Sequence, residues 1–149
     1  LLNLLPKMEE LTGTELVPTH SLLRLYQPGD VLPRHKDKLS CQTSVSLCIG
    51  YGYDDKEYQW PLYLDGEEIL CKPGDAPIYH GCEYFHWREA FEGDWQLMVF
   101  LFYINKDADF AEDLIYDARP DLGLPKSSQK FSEHEYEKNY LIQTGHISE

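Results

Sequence analysis

The sequence predicts a mainly β protein of one domain, with two sheets folded as a sandwich or barrel and short helices at the flanks. Three observations carry this. Short apolar runs recur from Ser21 to Ile104, and the segments between them carry turn chemistry: Pro28-Gly29-Asp30, Asp65-Gly66 and Pro73-Gly74-Asp75. Gln42 to Ile49 alternates with period two, placing Thr43, Val45, Leu47 and Ile49 on one face and Gln42, Ser44, Ser46 and Cys48 on the other. A chain of 149 residues, 42% of them hydrophobic, can bury a single core.

In order along the chain, Leu4, Leu5, Met8 and Leu11 fall at helical spacing, with Pro6 near the start and Gly13 as the stop. Leu22 to Tyr26 reads as a strand, and Gln27-Pro-Gly-Asp30 turns the chain. After the strand at Gln42 to Ile49 come Trp60 to Leu64, Glu68 to Cys71 and Ala76 to Tyr79. Gln96 to Ile104 is the last strand. Asp107 to Tyr116 reads as a short acidic helix. Beyond it the chain turns rich in Pro, Gly and Ser and then polar, with scattered aromatics from Phe131 to Glu149. The expected organisation is one domain over 1–149, with a β core at 21–105, an N-terminal helical region at 1–20 and a C-terminal extension at 106–149.

Charge excludes some classes of partner. Thirteen basic residues against twenty-six acidic give a formal charge of −13, the wrong field for phosphate backbones or anionic membranes. No nucleic acid and no membrane are therefore expected. The longest apolar run, Leu97 to Ile104, is too short for a bilayer, and Leu1 to Leu5 lacks the basic flank of a signal peptide. Cys41, Cys48, Cys71 and Cys82 form no CxxC pair, so free thiols in a reducing, cytoplasmic compartment are expected. No GxSxG, P-loop or GxGxxG is present.

The cluster that carries chemistry is His35-Lys36-Asp37. On an extended segment, residues i and i+2 point the same way, so an imidazole and a carboxylate meet at one point. A third ligand would come from His80 or His86. Two histidines and one carboxylate with open positions form the donor set of non-haem Fe(II) oxygenases.

The run Arg24-Leu-Tyr-Gln-Pro-Gly-Asp-Val-Leu-Pro-Arg-His-Lys-Asp37 resembles the start of the catalytic core of 2-oxoglutarate/Fe(II)-dependent oxygenases, in their prolyl-4-hydroxylase-like branch. Pro73-Gly-Asp-Ala-Pro-Ile-Tyr-His-Gly-Cys-Glu-Tyr-Phe-His-Trp-Arg-Glu89 resembles its second half, and Gln96 to Tyr103 its closing strand. The resemblance implies a double-stranded β-helix of the jelly-roll, cupin-like kind. It implies Fe(II) on His35, Asp37 and His86, with 2-oxoglutarate and O₂ as cosubstrates and a protein or small molecule as substrate. His80 would then be a second-layer or substrate contact. Because Asp37 supplies the carboxylate, hydroxylation is favoured over halogenation.

The chain departs from that family at the cosubstrate anchor. The usual basic residue on the closing strand is replaced by Trp95, Gln96 and Leu97. Arg88, two residues beyond His86, is the first substitute, and Arg24, two before Tyr26, is the second. Tyr26 falls where the family places an aromatic beside the cosubstrate. Trp60, Tyr63, Tyr79, Trp87 and Trp95 are candidates for a substrate groove, and the loop from Tyr51 to Gln59 for a lid.

Two other readings remain open. A cupin-type metal protein, an isomerase or a dioxygenase without 2-oxoglutarate, would use His80 as ligand. A β-sandwich binding module would hold no metal at all. An exposed edge strand or the Phe131 to Ile147 tail could mediate a homo-oligomer.

Overall fold

The computed structural model describes residues 1–117. Eight strands form the core: β1 (Leu16–Tyr26), β2 (Leu32–His35), β3 (Thr43–Tyr51), β4 (Leu62–Leu64), β5 (Glu67–Ile69), β6 (Ile78–Tyr79), β7 (His86–Arg88) and β8 (Gln96–Asn105). They build two four-stranded antiparallel sheets, ordered β1-β8-β3-β6 and β2-β7-β4-β5. Consecutive strands thus fall in opposite sheets except at the β4–β5 hairpin, which is the winding of a double-stranded β-helix. Short helices flank it, α1 (Leu5–Thr12) and α2 (Ala111–Leu114).

Two turns of the same design set the geometry. Pro28-Gly29 and Pro73-Gly74 each put glycine at positive φ, 88° and 96°, a region that costs glycine no Cβ clash. In each, an aspartate closes the turn. Asp30 Oδ2 accepts from the Gln27 amide at 3.0 Å and Asp75 Oδ2 from the Lys72 amide at 2.9 Å. The first turn delivers the chain into β2; the second delivers it towards β6.

The interior holds Tyr26, Cys48, Trp60, Phe91, Met98, Phe100 and Phe102, and it also takes in the polar face of β3. Ser44, Ser46 and Cys48 point inward, while Val45 packs outward with Leu101 and Tyr103 beneath Met8 of α1. The alternation in β3 therefore marks a strand buried on both faces. Its polar side lines the inside of the barrel. Tyr53, Tyr58 and Trp60 pack around Phe91, and the 51–60 loop closes one end of the interior.

Several sequence boundaries are corrected. The first strand begins at Leu16, inside the region expected to be helical, and a register shift between Pro18 and Ser21 breaks the alternation that would have revealed it. Trp60 precedes β4, and Cys71 lies beyond β5. The acidic helix shrinks to Ala111–Leu114, followed by a 3₁₀ turn at Ile115–Asp117. No disulfide joins any of the four cysteines. Among the described residues no helix is long and apolar enough to cross a membrane. The Phe131 to Glu149 tail lies outside the described residues.

Candidate metal centre

His35 closes β2 and His86 opens β7, and the two are directly opposed in the antiparallel register. Their rings are 4.2 Å apart, centroid to centroid. Asp37 follows two residues after His35, where the chain leaves β2. Its amide donates to the Gly81 carbonyl at 2.8 Å, which fixes the loop. One ligand atom from each of His35, Asp37 and His86 lies within 4.8 Å of the other two.

The hydrogen bonds around these groups set their donor atoms. His35 Nδ1 lies 2.7 Å from the Pro33 carbonyl, and His86 Nδ1 lies 3.1 Å from the Tyr84 carbonyl. A carbonyl only accepts, so each Nδ1 carries a proton, and the Nε2 of each ring is the atom turned inward, a donor while it is protonated and a metal ligand once it is not. Both Nε2 atoms sit 3.5 Å from Asp37 Oδ1. The other carboxylate oxygen accepts from the Ser44 hydroxyl at 2.8 Å. Three acceptor atoms converging on one point repel one another unless a cation or a proton stands between them. The donor set therefore fits a divalent metal.

The titration behaviour follows from the same contacts. Burial pushes the Asp37 carboxyl up, but hydrogen bonds from His35, His86 and Ser44 outweigh it and hold the group well below the usual range. The hydrogen bond with Asp37 raises His35. Ser44 did not stand out in the sequence as a site residue, nor did Gly81, whose Cα packs against the Asp37 carboxylate and the Ser44 hydroxyl. Removing the Ser44 donor should loosen Asp37 and weaken metal binding about 10- to 100-fold. Titration of Ser44→Ala with Mn(II), followed by electron paramagnetic resonance, checks this; unchanged affinity would detach Ser44 from the centre.

Beside the three residues lies a cavity of about 90 Å³, lined by Leu22, Arg24, Tyr26, Leu32, Tyr79, Phe100 and Phe102 as well. Arg24 lays its guanidinium over the Tyr26 ring at 4.2 Å and donates to the Val31 carbonyl at 3.3 Å. The Tyr79 ring meets His86 edge-on at 5.1 Å, and its hydroxyl pairs with Ser46 at 3.1 Å. Burial raises the Tyr79 phenol well above its ordinary value.

Arg88 is buried deeper, with 2% exposure. It packs on Trp60 at 4.6 Å, and its Nη1 donates to the Trp60 carbonyl at 2.8 Å. Its Nε and Nη2 meet no acceptor among the described residues, nor does the Tyr26 hydroxyl meet a partner. Burial pushes the guanidinium pKa down and the Tyr26 phenol up. Tyr26 packs edge-on against the same Trp60 at 4.8 Å. Gln96, one of the three residues at the position expected for a basic anchor, is also buried, and accepts from the Tyr53 hydroxyl at 2.9 Å.

The remaining candidates lie elsewhere. His80 is exposed and stands outside the three-residue cluster. Trp60 lines a separate groove with Tyr51, Tyr53 and Tyr58. Tyr63 and Trp87 stack at 5.1 Å on the sheet that carries β7, while Trp95 covers Gly50 and Gly52.

No protein-family profile and no curated protein sequence matches the chain. Solved structures do. A non-haem monooxygenase, ThoJ, in a nickel complex aligns over 95% of this chain and 68% of its own, with TM-score 0.57 and 14% identity. AviO1 from Streptomyces viridochromogenes Tue57 aligns over 72% of this chain with TM-score 0.56 and 17% identity. A 2OG-Fe(II) oxygenase family oxidoreductase from Burkholderia pseudomallei aligns over 66%, with TM-score 0.52 and 13% identity. The chain spans 59% of AviO1 and 50% of the Burkholderia protein. At these identities the likeness is one of architecture: the chain has the double-stranded β-helix fold on which oxygenases and cupins are built.

Proposed function

We propose that the chain is an Fe(II)/2-oxoglutarate-dependent dioxygenase that hydroxylates a C–H bond of a protein or small molecule. His35, Asp37 and His86 would hold the metal. When bound, iron supplies the activation of O₂ that couples decarboxylation of the 2-oxo acid to oxidation of the substrate. One oxygen atom enters the new hydroxyl and the other the new carboxylate of succinate, while carbon dioxide leaves.

The observation that carries the 2-oxoglutarate assignment is the buried Arg88 with two unpartnered N–H groups, together with the unpartnered Tyr26 hydroxyl. Buried polar groups are almost always paired, so three such atoms, on two side chains that come from opposite sheets and pack on the same Trp60, call for an anionic or strongly accepting ligand. Arg88 is two residues along β7 from His86, so it shares that strand face and stands about 7 Å further along. That span suits a five-carbon dicarboxylate with one end at the metal and the other at a guanidinium. Arg88 and Tyr26 bind and orient its distal carboxylate. Phe100, Phe102, Leu22 and Leu32 exclude water, and Ser44 steadies Asp37.

Anaerobic Fe(II) titration with and without 2-oxoglutarate tests this through the visible charge-transfer band of the chelate. The band should need both components, disappear in His86→Ala and persist in His80→Ala. Bound iron without the band, together with loss of metal in His80→Ala, would instead favour a cupin-type centre.

A further inference from the structure

We propose that the edge of β1, which no further strand pairs among the described residues, docks an extended peptide as an added strand, which makes a polypeptide the substrate class of the neighbouring metal cavity. The oxidative chemistry rests on the reading above; the docking does not.

β1 and β2 each form one edge of their sheets, and both contribute residues to the metal cavity. The two edges differ. β2 is blunted, because Pro33 has no amide hydrogen and its carbonyl is taken by His35, while the preceding Val31 carbonyl is taken by Arg24. β1 is covered in part by the turn at Ile115–Asp117, yet Ser21 to Leu25 carries no proline, lysine or bulge. Leu22, Leu23 and Leu25 are 52%, 64% and 51% exposed, so this stretch is apolar on both of its faces. An edge of that kind is a template for strand addition.

Geometry then joins the edge to the centre. Leu22, Arg24 and Tyr26 alternate along β1 and all line the cavity that holds His35, Asp37 and His86. A guest strand about 4.8 Å from β1 would direct every second side chain into that cavity. Its outward neighbours would lie beside Leu23 and Leu25, which selects apolar residues flanking the reactive one. The charge of −13 favours basic residues further out and disfavours a second copy of the same acidic chain.

The test uses the full chain, metal-free, and blocked heptapeptides Arg-Arg-Val-X-Val-Arg-Arg in which X is Pro, Lys, Asn or Leu. Amide hydrogen exchange at residues 21–25 should slow at least 10-fold with one of them. The effect should vanish when both valine nitrogens are methylated, and in Leu23→Lys/Leu25→Lys, whose exposed positions leave folding intact by circular dichroism. A parallel arm with Fe(II) and 2-oxoglutarate looks for one oxygen atom added at X by mass spectrometry. Protection without oxidation would keep the docking strand and overturn the oxidative reading. Protection elsewhere, or none, would overturn the docking. So would slow exchange at residues 21–25 in the protein alone, whether concentration-dependent from a second copy or abolished by removing residues 118–149.

Discussion

Gly81→Ala should cost the chain about 100-fold in metal affinity while leaving the β-helix folded. A Cβ at this position would collide with the Asp37 carboxylate and the Ser44 hydroxyl, and would stand 2.8 Å from the backbone carbonyl of Cys41. The two side chains could move, but the carbonyl belongs to the turn that precedes β3 and cannot yield cheaply. The simplest relief is to push Asp37 away from Ser44 and out of line with the two imidazoles. Over-packing of this kind destabilises by about 1–3 kcal/mol, and a displaced ligand loses more affinity than a lost outer contact. Gly81 does not adopt a positive φ, so backbone strain plays no part and the whole effect is one of close approach. Mn(II) titration beside a thermal melt separates the two consequences. Wild-type affinity in a folded Gly81→Ala protein would remove Asp37 from the proposed ligand set.

Residues such as Gly81 show why the site was only partly legible in the sequence. His35 and Asp37 stand out because two ligands two residues apart on an extended segment form a local signal. Ser44 and Gly81 act across a turn and between sheets, and a lone serine or glycine carries no such mark. The polar face of β3 was visible, but alternation alone does not say which face is buried. Here Val45 packs under α1 while Ser44 and Ser46 hydrogen-bond Asp37 and Tyr79, two residues that line the cavity, because the barrel interior holds a site as well as a core. β2 and β7, four and three residues long, are too short to show a period, yet they carry both histidines. The early start of β1 is hidden by the register shift near Pro18.

Arg88→Met should remove 2-oxoglutarate binding and, in the ligand-free protein, raise stability. In wild type the buried guanidinium leaves Nε and Nη2 without acceptors among the described residues, each a desolvated donor that costs about 1–3 kcal/mol. Methionine matches the length of the arginine stem and still packs on Trp60 and Tyr26. The exchange gives up one hydrogen bond, from Nη1 to the Trp60 carbonyl, worth roughly 1 kcal/mol. Relief of the unpaired charge is the larger effect, so a net gain of about 1–2 kcal/mol is expected, a rise of roughly 3–6 °C in Tm. Metal affinity should hold, since the His35, Asp37 and His86 side chains are untouched. The ranking then reverses with ligand. At 2-oxoglutarate near 100 times its Kd with Mn(II) present, wild type gains about 2.7 kcal/mol and the variant gains nothing, so wild type becomes the more stable of the two. A variant that is destabilised without ligand would mean that Arg88 is a structural cation whose partners are already in place. A variant that still gains stability from 2-oxoglutarate would move the anchor to Arg24, which lines the cavity beside the three metal-binding candidates.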